Sequence, residues 1–249
     1  MILLLQNLSF GFTPEKQILK NLSLSLEGNK IYALMGSNGA GKTTLFNLIT
    51  GFIKPQSGEI FFSNKNLTKQ HPHKINRQGI GRTFQNLRLI TKLTVKENLV
   101  LAMQHNPTDN WLNAMLPKKF HRKANQQLDK MADEIIELFF LIDVKNSLAA
   151  EISYGQQKLL SLACCVANGA MLLLIDEVVA GIQPEYRNKI ATLIKQLKEQ
   201  GKTILLIEHH TDFIADVADK IFFLHEGKIS SFDNMETLRK DKHLMEAYI

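Results

Sequence analysis

A chain of 249 residues with 45% hydrophobic content can bury a sizeable core as one large domain or two small ones, which excludes a disordered or fibrous protein. Its two cysteines, Cys164 and Cys165, are adjacent, and no Cys and His residues show metal-ligand spacing, so it is neither a disulfide scaffold nor a structural zinc protein, and a reducing cytoplasm suits it. The net charge of +6 is uneven: no Asp or Glu falls between Glu59 and Glu97, whereas Lys65, Lys69, Lys74, Arg77, Arg82, Arg88, Lys92 and Lys96 do. That stretch predicts a basic face, either solvated or turned toward anionic lipid. Aromatic residues do not interleave with it as stacking platforms would, so nucleic acid ranks last among partners.

In chain order, residues 1–5 are apolar but too few for a signal peptide, and no basic segment precedes them. Residues 1–9 and 17–26 read as strands around a turn at Thr13, Pro14 and Glu15. The apolar run 31–35 predicts a buried strand. It leads into Gly36, Ser37, Asn38, Gly39, Ala40, Gly41, Lys42, Thr43 and Thr44, after which Leu45, Leu48, Ile49 and Phe52 recur at helical spacing. Strand, glycine-rich loop and helix together are the setting of a phosphate-binding loop. The glycines let backbone N–H groups converge on an anion, and the positive end of the helix points at the same place. Lys42 then meets the β- and γ-phosphates, and the Thr43 hydroxyl ligates Mg²⁺.

A short strand is expected at 59–62 after a turn at 55–58, and a solvated loop at His71, Pro72 and His73. From about residue 87 to 157 the texture is helical. Val95, Leu99, Val100 and Met103 share one predicted face; Leu128, Met131, Ile135, Leu138 and Phe139 share another. Between them, 106–119 reads as a loop-like insertion carrying Trp111. The uncharged stretch 159–175 is broken by Asn168 and Gly169, so it predicts a buried helix, a stop and a buried strand rather than a membrane span. Pro184 opens a helix closed by Gly201, 203–207 is a strand, and 225–228 is a hairpin turn.

The strand at 171–175 ends in Asp176 and Glu177. An apolar strand delivers such carboxylates to the carboxyl edge of a sheet, where ligands bind. With the phosphate loop upstream, Asp176 becomes a candidate Mg²⁺ ligand and Glu177 a candidate general base for an attacking water.

Between these two elements lies Ile152-Ser153-Tyr154-Gly155-Gln156-Gln157, which resembles the signature sequence of ABC-type ATPases, with Tyr154 where Gly is commonest. Gln85 resembles the family's Q-loop glutamine, residues 180–183 its D-loop, and His209 its switch histidine. Phe12 stands where the family has an adenine-stacking aromatic, with Phe10 and Tyr32 as rivals for that role. Residues 79–89, 93–99 and 153–157 and the closing 238–248 resemble the ATP-binding subunits of branched-chain amino acid uptake systems.

The resemblance implies an α/β, P-loop NTPase (RecA-like) core with an antiparallel β subdomain and an inserted all-helical subdomain. Core and β subdomain are expected over about 1–86 and 157–235, the helical subdomain over about 87–156, and a tail over about 236–249. It implies ATP and Mg²⁺ as ligands, Gln85 at the metal and near the γ-phosphate together with His209, and Ser153, Gly155 and Gln156 clamping the γ-phosphate held by a second ATPase subunit. A separate transmembrane permease is the expected partner, at the cytoplasmic face of the membrane. Lipid or lipopolysaccharide export, and a soluble ABC ATPase acting on nucleic acid or ribosomes, are the alternatives. Val178, Gln183 and His210 depart from the family's usual Pro, Asp or Asn, and Asp.

Overall fold

The computed structural model describes residues 1–13, 16–84, 87–103 and 118–246, with side chains except at 118–125, 242 and 245. Among them the strands are β1 (Leu3–Thr13), β2 (Lys16–Leu26), β3 (Ile31–Met35), β4 (Ser57–Phe62), β5 (Lys65–Asn66), β6 (Ile80–Arg82), β7 (Leu172–Asp176), β8 (Thr203–Ile207), β9 (Lys220–His225) and β10 (Lys228–Phe232). The helices are α1 (Lys42–Ile49), α2 (Pro72–Arg77), α3 (Val95–Ala102), α4 (Lys118–Leu138), α5 (Tyr154–Ala167), α6 (Pro184–Glu199), α7 (Thr211–Val217), α8 (Met235–Arg239) and α9 (Lys242–Glu246). They form two compact units: Met1–Arg82 with Met171–Ile249, and Thr83–Ala170.

The first unit holds two sheets. One is antiparallel, in the order β2-β1-β4-β5; the other runs β10-β9-β3-β8-β7-β6. In the second sheet every pairing is parallel except that of β10 with β9. Strands β3, β7 and β8 are buried along their whole length, as a parallel sheet covered on both faces requires, and this is why their sequences are unbroken apolar runs. Alternate residues, Tyr32 and Leu34, Leu172 and Leu174, Leu205 and Ile207, Phe222 and Leu224, join one core with Leu45, Phe46, Leu48 and Ile49 of α1, Leu3, Leu5 and Leu8 of β1 and the leucines of β2. Helix α1 is thereby held by its apolar side, and the loop before it is held with it.

Three expectations are corrected here, and one strand is added to them. Pro72 is the first residue of α2 rather than part of a loop, because proline lacks only an N–H that the first helical turn would leave unbonded. Residues 80–82, unassigned by periodicity, form β6, too short to show a period. Helix begins at Val95, not near residue 87. Arg82 does not lie on a basic face: its side chain is 6% exposed and ion-paired inside the first unit.

In the second unit α3 packs on α4 and α5. Thr94 and Glu97 form a reciprocal cap on α3. On α4 Ala132 and Ile136 are buried and Met131 is 44% exposed, while Phe139, just past the helix end, is buried as expected. Of the expected face, Leu128, Ile135 and Leu138 are half-buried and only Met131 is exposed, so the most enclosed side is shifted toward Ala132 and Ile136. Lys96 of α3 pairs with Asp133 and Asp129 of α4, at 3.1 and 3.5 Å. The insertion expected at 106–119 lies outside the described residues, apart from Lys118 and Lys119, which begin α4.

Candidate active site

Six residues, Gly36, Ser37, Asn38, Gly39, Ala40 and Gly41, connect β3 to α1. Two glycines are needed for shape. Gly36 has φ +146°, and a Cβ there would run into the Leu224 carbonyl oxygen of β9; Gly41 has φ +105°, and a Cβ would come 2.6 Å from Ile18. Gly41 caps α1 without a side-chain hydrogen bond, and the first turn of α1 has no acidic residue. Its backbone N–H groups and its positive dipole end are therefore suited to an external anion.

Lys42 opens the helix and is 7% exposed. Its ammonium folds back over the loop, donating to the Gly36 carbonyl at 2.7 Å and to that of Ser37 at 3.0 Å. Burial pushes its pKa down from the usual lysine value, and the nearby Glu177 and Asp176 charges oppose the shift. Thr43 is exposed and Thr44 half-buried in the first turn.

Asp176 ends β7, the second strand from β3, and Glu177 follows it. Asp176 is 5% exposed. Burial pushes its carboxyl above the ordinary range, and the Arg82 guanidinium pulls it back down. A buried carboxylate whose charge is disfavoured is a good seat for a cation, so the set of Thr43 and Asp176 fits a hard divalent ion with oxygen ligands. Glu177 has φ +48°, rare for a residue with a side chain, and its N–H donates to the Ile207 carbonyl at 2.9 Å. This kink brings its Oε1 to 3.5 Å from His209 Nε2. Burial holds the His209 imidazole below its usual pKa, and the Lys42 charge adds to this while Glu177 opposes it. At neutral pH His209 is thus an uncharged donor or acceptor beside a carboxylate.

Of the three candidate stacking aromatics, Tyr32 is buried, stacked on Phe222 and bonded through its hydroxyl to the Glu27 N–H. Phe12 is 69% exposed, edge-on to Phe10 at 5.1 Å. Gln85 lies outside the described residues. In the second unit Ser153 caps α5: its hydroxyl accepts the Gln156 N–H at 3.3 Å, and the Gln156 side chain accepts the Ser153 N–H at 2.9 Å. Gly155 is buried in the first turn of that helix.

With this geometry, the sequence profile of the ABC transporter family matches residues 19–180, well over half of the chain. The chain belongs to the ABC transporter family. It is an ATPase subunit of a transporter. The high-affinity branched-chain amino acid transport ATP-binding protein BraF of Pseudomonas aeruginosa is 32% identical over 229 residues, 92% of this chain and 90% of that protein. The corresponding LivG protein of Escherichia coli is 35% identical over 232 residues, again 92% and 90%. Among solved structures, a nucleotide-free ATP-binding cassette from an ABC transporter superposes with a TM-score of 0.84 at 31% identity, covering 100% of this chain and 98% of that one. The ADP conformation of an ATP-binding cassette gives a TM-score of 0.81 at 28% identity, covering 99% and 97%.

In this ABC ATPase the first unit gathers Gly36–Thr43 with Asp176, Glu177 and His209 at one sheet edge, and the second unit presents Ser153, Gly155 and Gln156 at a helix start. Two residues near the first group were not singled out by sequence. Charge counting along the sequence places Arg82 on the surface. Glu208, directly before His209, is a 1% exposed carboxylate whose only sequence signal is an acid ending an apolar strand.

Proposed function

We propose that this ABC ATPase drives uptake of branched-chain amino acids or similar small polar solutes through a separate membrane permease. The observation that carries the cargo assignment is the similarity, 32–35% over about nine-tenths of the chain, to proteins named for that transport. No helix among the described residues is long and apolar enough to cross a membrane, so the pathway itself is assigned to a permease. The cassette would sit peripherally at its cytoplasmic face, with the helical unit as the docking surface.

The residues fit a division of labour. The loop N–H groups of residues 36–44 and Lys42 would cradle the phosphates, and Phe12 would stack on the adenine. Thr43 and Asp176 would hold Mg²⁺, joined by Gln85. The metal supplies charge neutralisation between phosphate oxygens. Glu177 would accept a proton from the attacking water, and neutral His209, 3.5 Å away, would orient the pair near the γ-phosphate. Ser153, Gly155 and Gln156 of a second cassette, identical or paralogous, would complete the site. A pair that closes only around a triphosphate binds ATP better than ADP, so hydrolysis releases it.

The test is purification in mild detergent followed by identification of bound proteins, combined with uptake of labelled leucine by cells lacking the chain. Recovery of a permease with a second cassette, and loss of leucine uptake, is expected. Recovery of lipid-export components, or of ribosomes and RNA with ATPase stimulation, would overturn the cargo assignment.

A further inference from the structure

Glu208 follows β8, and its side chain is almost entirely enclosed. Its carboxylate holds two amides: Oε1 accepts the Val179 N–H at 2.9 Å and Oε2 accepts the His209 N–H at 3.3 Å. Those amides belong to the two segments that carry the Glu177 and His209 side chains. One segment leaves β7 through Glu177 in the left-handed region, a conformation that persists only where its surroundings enforce it. The other leaves β8 through His209. Adjacent ladder bonds fix the strands only as far as Asp176 opposite Ile207, with the Glu177 N–H on the Ile207 carbonyl as the last rung. Beyond that rung, the Glu208 side chain spans both exits through their backbone, alongside the side-chain contact of Glu177 with His209 at 3.5 Å.

We propose that Glu208 is a positioning residue for ATP hydrolysis: its carboxylate clamps the backbone at Val179 and His209, and so holds the Glu177 and His209 side chains in register. This rests on Glu177 and His209 acting on the γ-phosphate water. A carboxylate is suited to the task because its two oxygens accept both amides at once, whereas an amide side chain accepts at one oxygen only. Small displacements at a reacting site cost rate far more than they cost binding.

The experiment compares full-length wild-type protein with Glu208→Ala, Glu208→Gln, Glu177→Gln and the double variant Glu177→Gln/Glu208→Ala. ATPase turnover, ATP affinity by calorimetry and thermal unfolding are measured for each. Glu208→Ala should lower kcat roughly tenfold or more and shift the ATP Kd by less than about twofold. Glu208→Gln, which keeps one of the two bonds, should fall between it and wild type in both turnover and unfolding temperature. Because the residues act as a unit, Glu208→Ala should add little further loss in the Glu177→Gln background. Wild-type kcat in a folded Glu208→Gln or Glu208→Ala, parallel losses in kcat and affinity, or an equal fold-loss in the Glu177→Gln background would each overturn the assignment. Should Glu208→Ala not fold, Glu208→Gln alone and combined with Glu177→Gln answers the same question. Wild-type turnover in Glu177→Gln itself would instead sink the parent assignment of Glu177.

Discussion

The Arg82 guanidinium lies 3.6 Å from Asp176 Oδ2, with the two side chains 6% and 3% exposed. The same guanidinium donates to Asn47 Oδ1 at 2.7 Å and to Thr50 Oγ1 at 3.3 Å, and lies over the Phe46 ring. One side chain therefore ties the phosphate-loop helix α1 to the strand that presents Asp176. Removing the cation strands a buried carboxylate. Arg82→Met should destabilise the nucleotide-free protein by on the order of 3 kcal/mol, and Arg82→Lys by less, since it keeps the charge without the planar fork. Urea unfolding measures both; an unchanged midpoint in Arg82→Met would refute the coupling.

Lys42→Ala removes the ammonium that bridges the Gly36 and Ser37 carbonyls. ATP binding should disappear by calorimetry while the circular dichroism spectrum is retained. Wild-type affinity in this variant would contradict the loop assignment.

Glu177→Gln keeps the shape of the side chain and removes its basicity. It should retain ATP affinity, lower turnover roughly 10²-fold or more, and accumulate an ATP-bound dimer on gel filtration.

His209 gives a pH dependence of definite sign. Burial and Lys42 lower its folded-state pKa from 6.5, with His210 adding to them and Glu177 opposing. Below 6.5 the unfolded chain therefore takes up the proton more readily than the folded one. Stability contributed by the neutral imidazole is complete above 6.5 and declines as pH falls through the folded value. Between pH 7 and pH 5, wild type should lose more stability than His209→Asn, whose side chain does not titrate. Equal losses, measured by urea midpoints across that range, would show that the histidine titrates as it does in the unfolded chain.

Ser153 separates a cap from a clamp. Its hydroxyl caps α5, so Ser153→Ala should cost about 1 kcal/mol of stability. If the hydroxyl also engages the partner cassette's γ-phosphate, turnover should fall by roughly 10²-fold, far beyond the structural effect. A drop in stability with wild-type turnover would leave Ser153 as a cap alone.

The phosphate loop and Asp176 were legible in sequence because each is local. A glycine run between an apolar strand and a helical period needs no distant partner to be recognised, and the positive φ values at Gly36, Gly39 and Gly41 follow from the residue type. Arg82 was illegible because its burial depends on Asp176 and Asn47, brought to it by β6–β7 pairing and by α1. Charge counting along the chain has no access to that. The full burial of Ala132 and Ile136 on α4 is illegible for a similar reason, since it depends on packing against other helices. Phe12 stands apart from Tyr32 only once burial is known, the first open to solvent and the second closed off.

The order of strands in the large sheet has a bearing on how the chain is made. Strand β3, which carries the phosphate loop, pairs on one side with β8, Ile31 opposite Ile204, and on the other with β9, Tyr32 opposite Lys220. Both neighbours leave the ribosome long after β3 does, whereas the helical unit, Thr83–Ala170, is continuous and complete by then. During synthesis the insertion can collapse first, while β3 waits unpaired for most of the translation time. The nucleotide-gripping half of the molecule is thus the last to be assembled, and a ribosome-stalled chain ending before β8 would carry the whole glycine-rich motif without the strand neighbours that give it form.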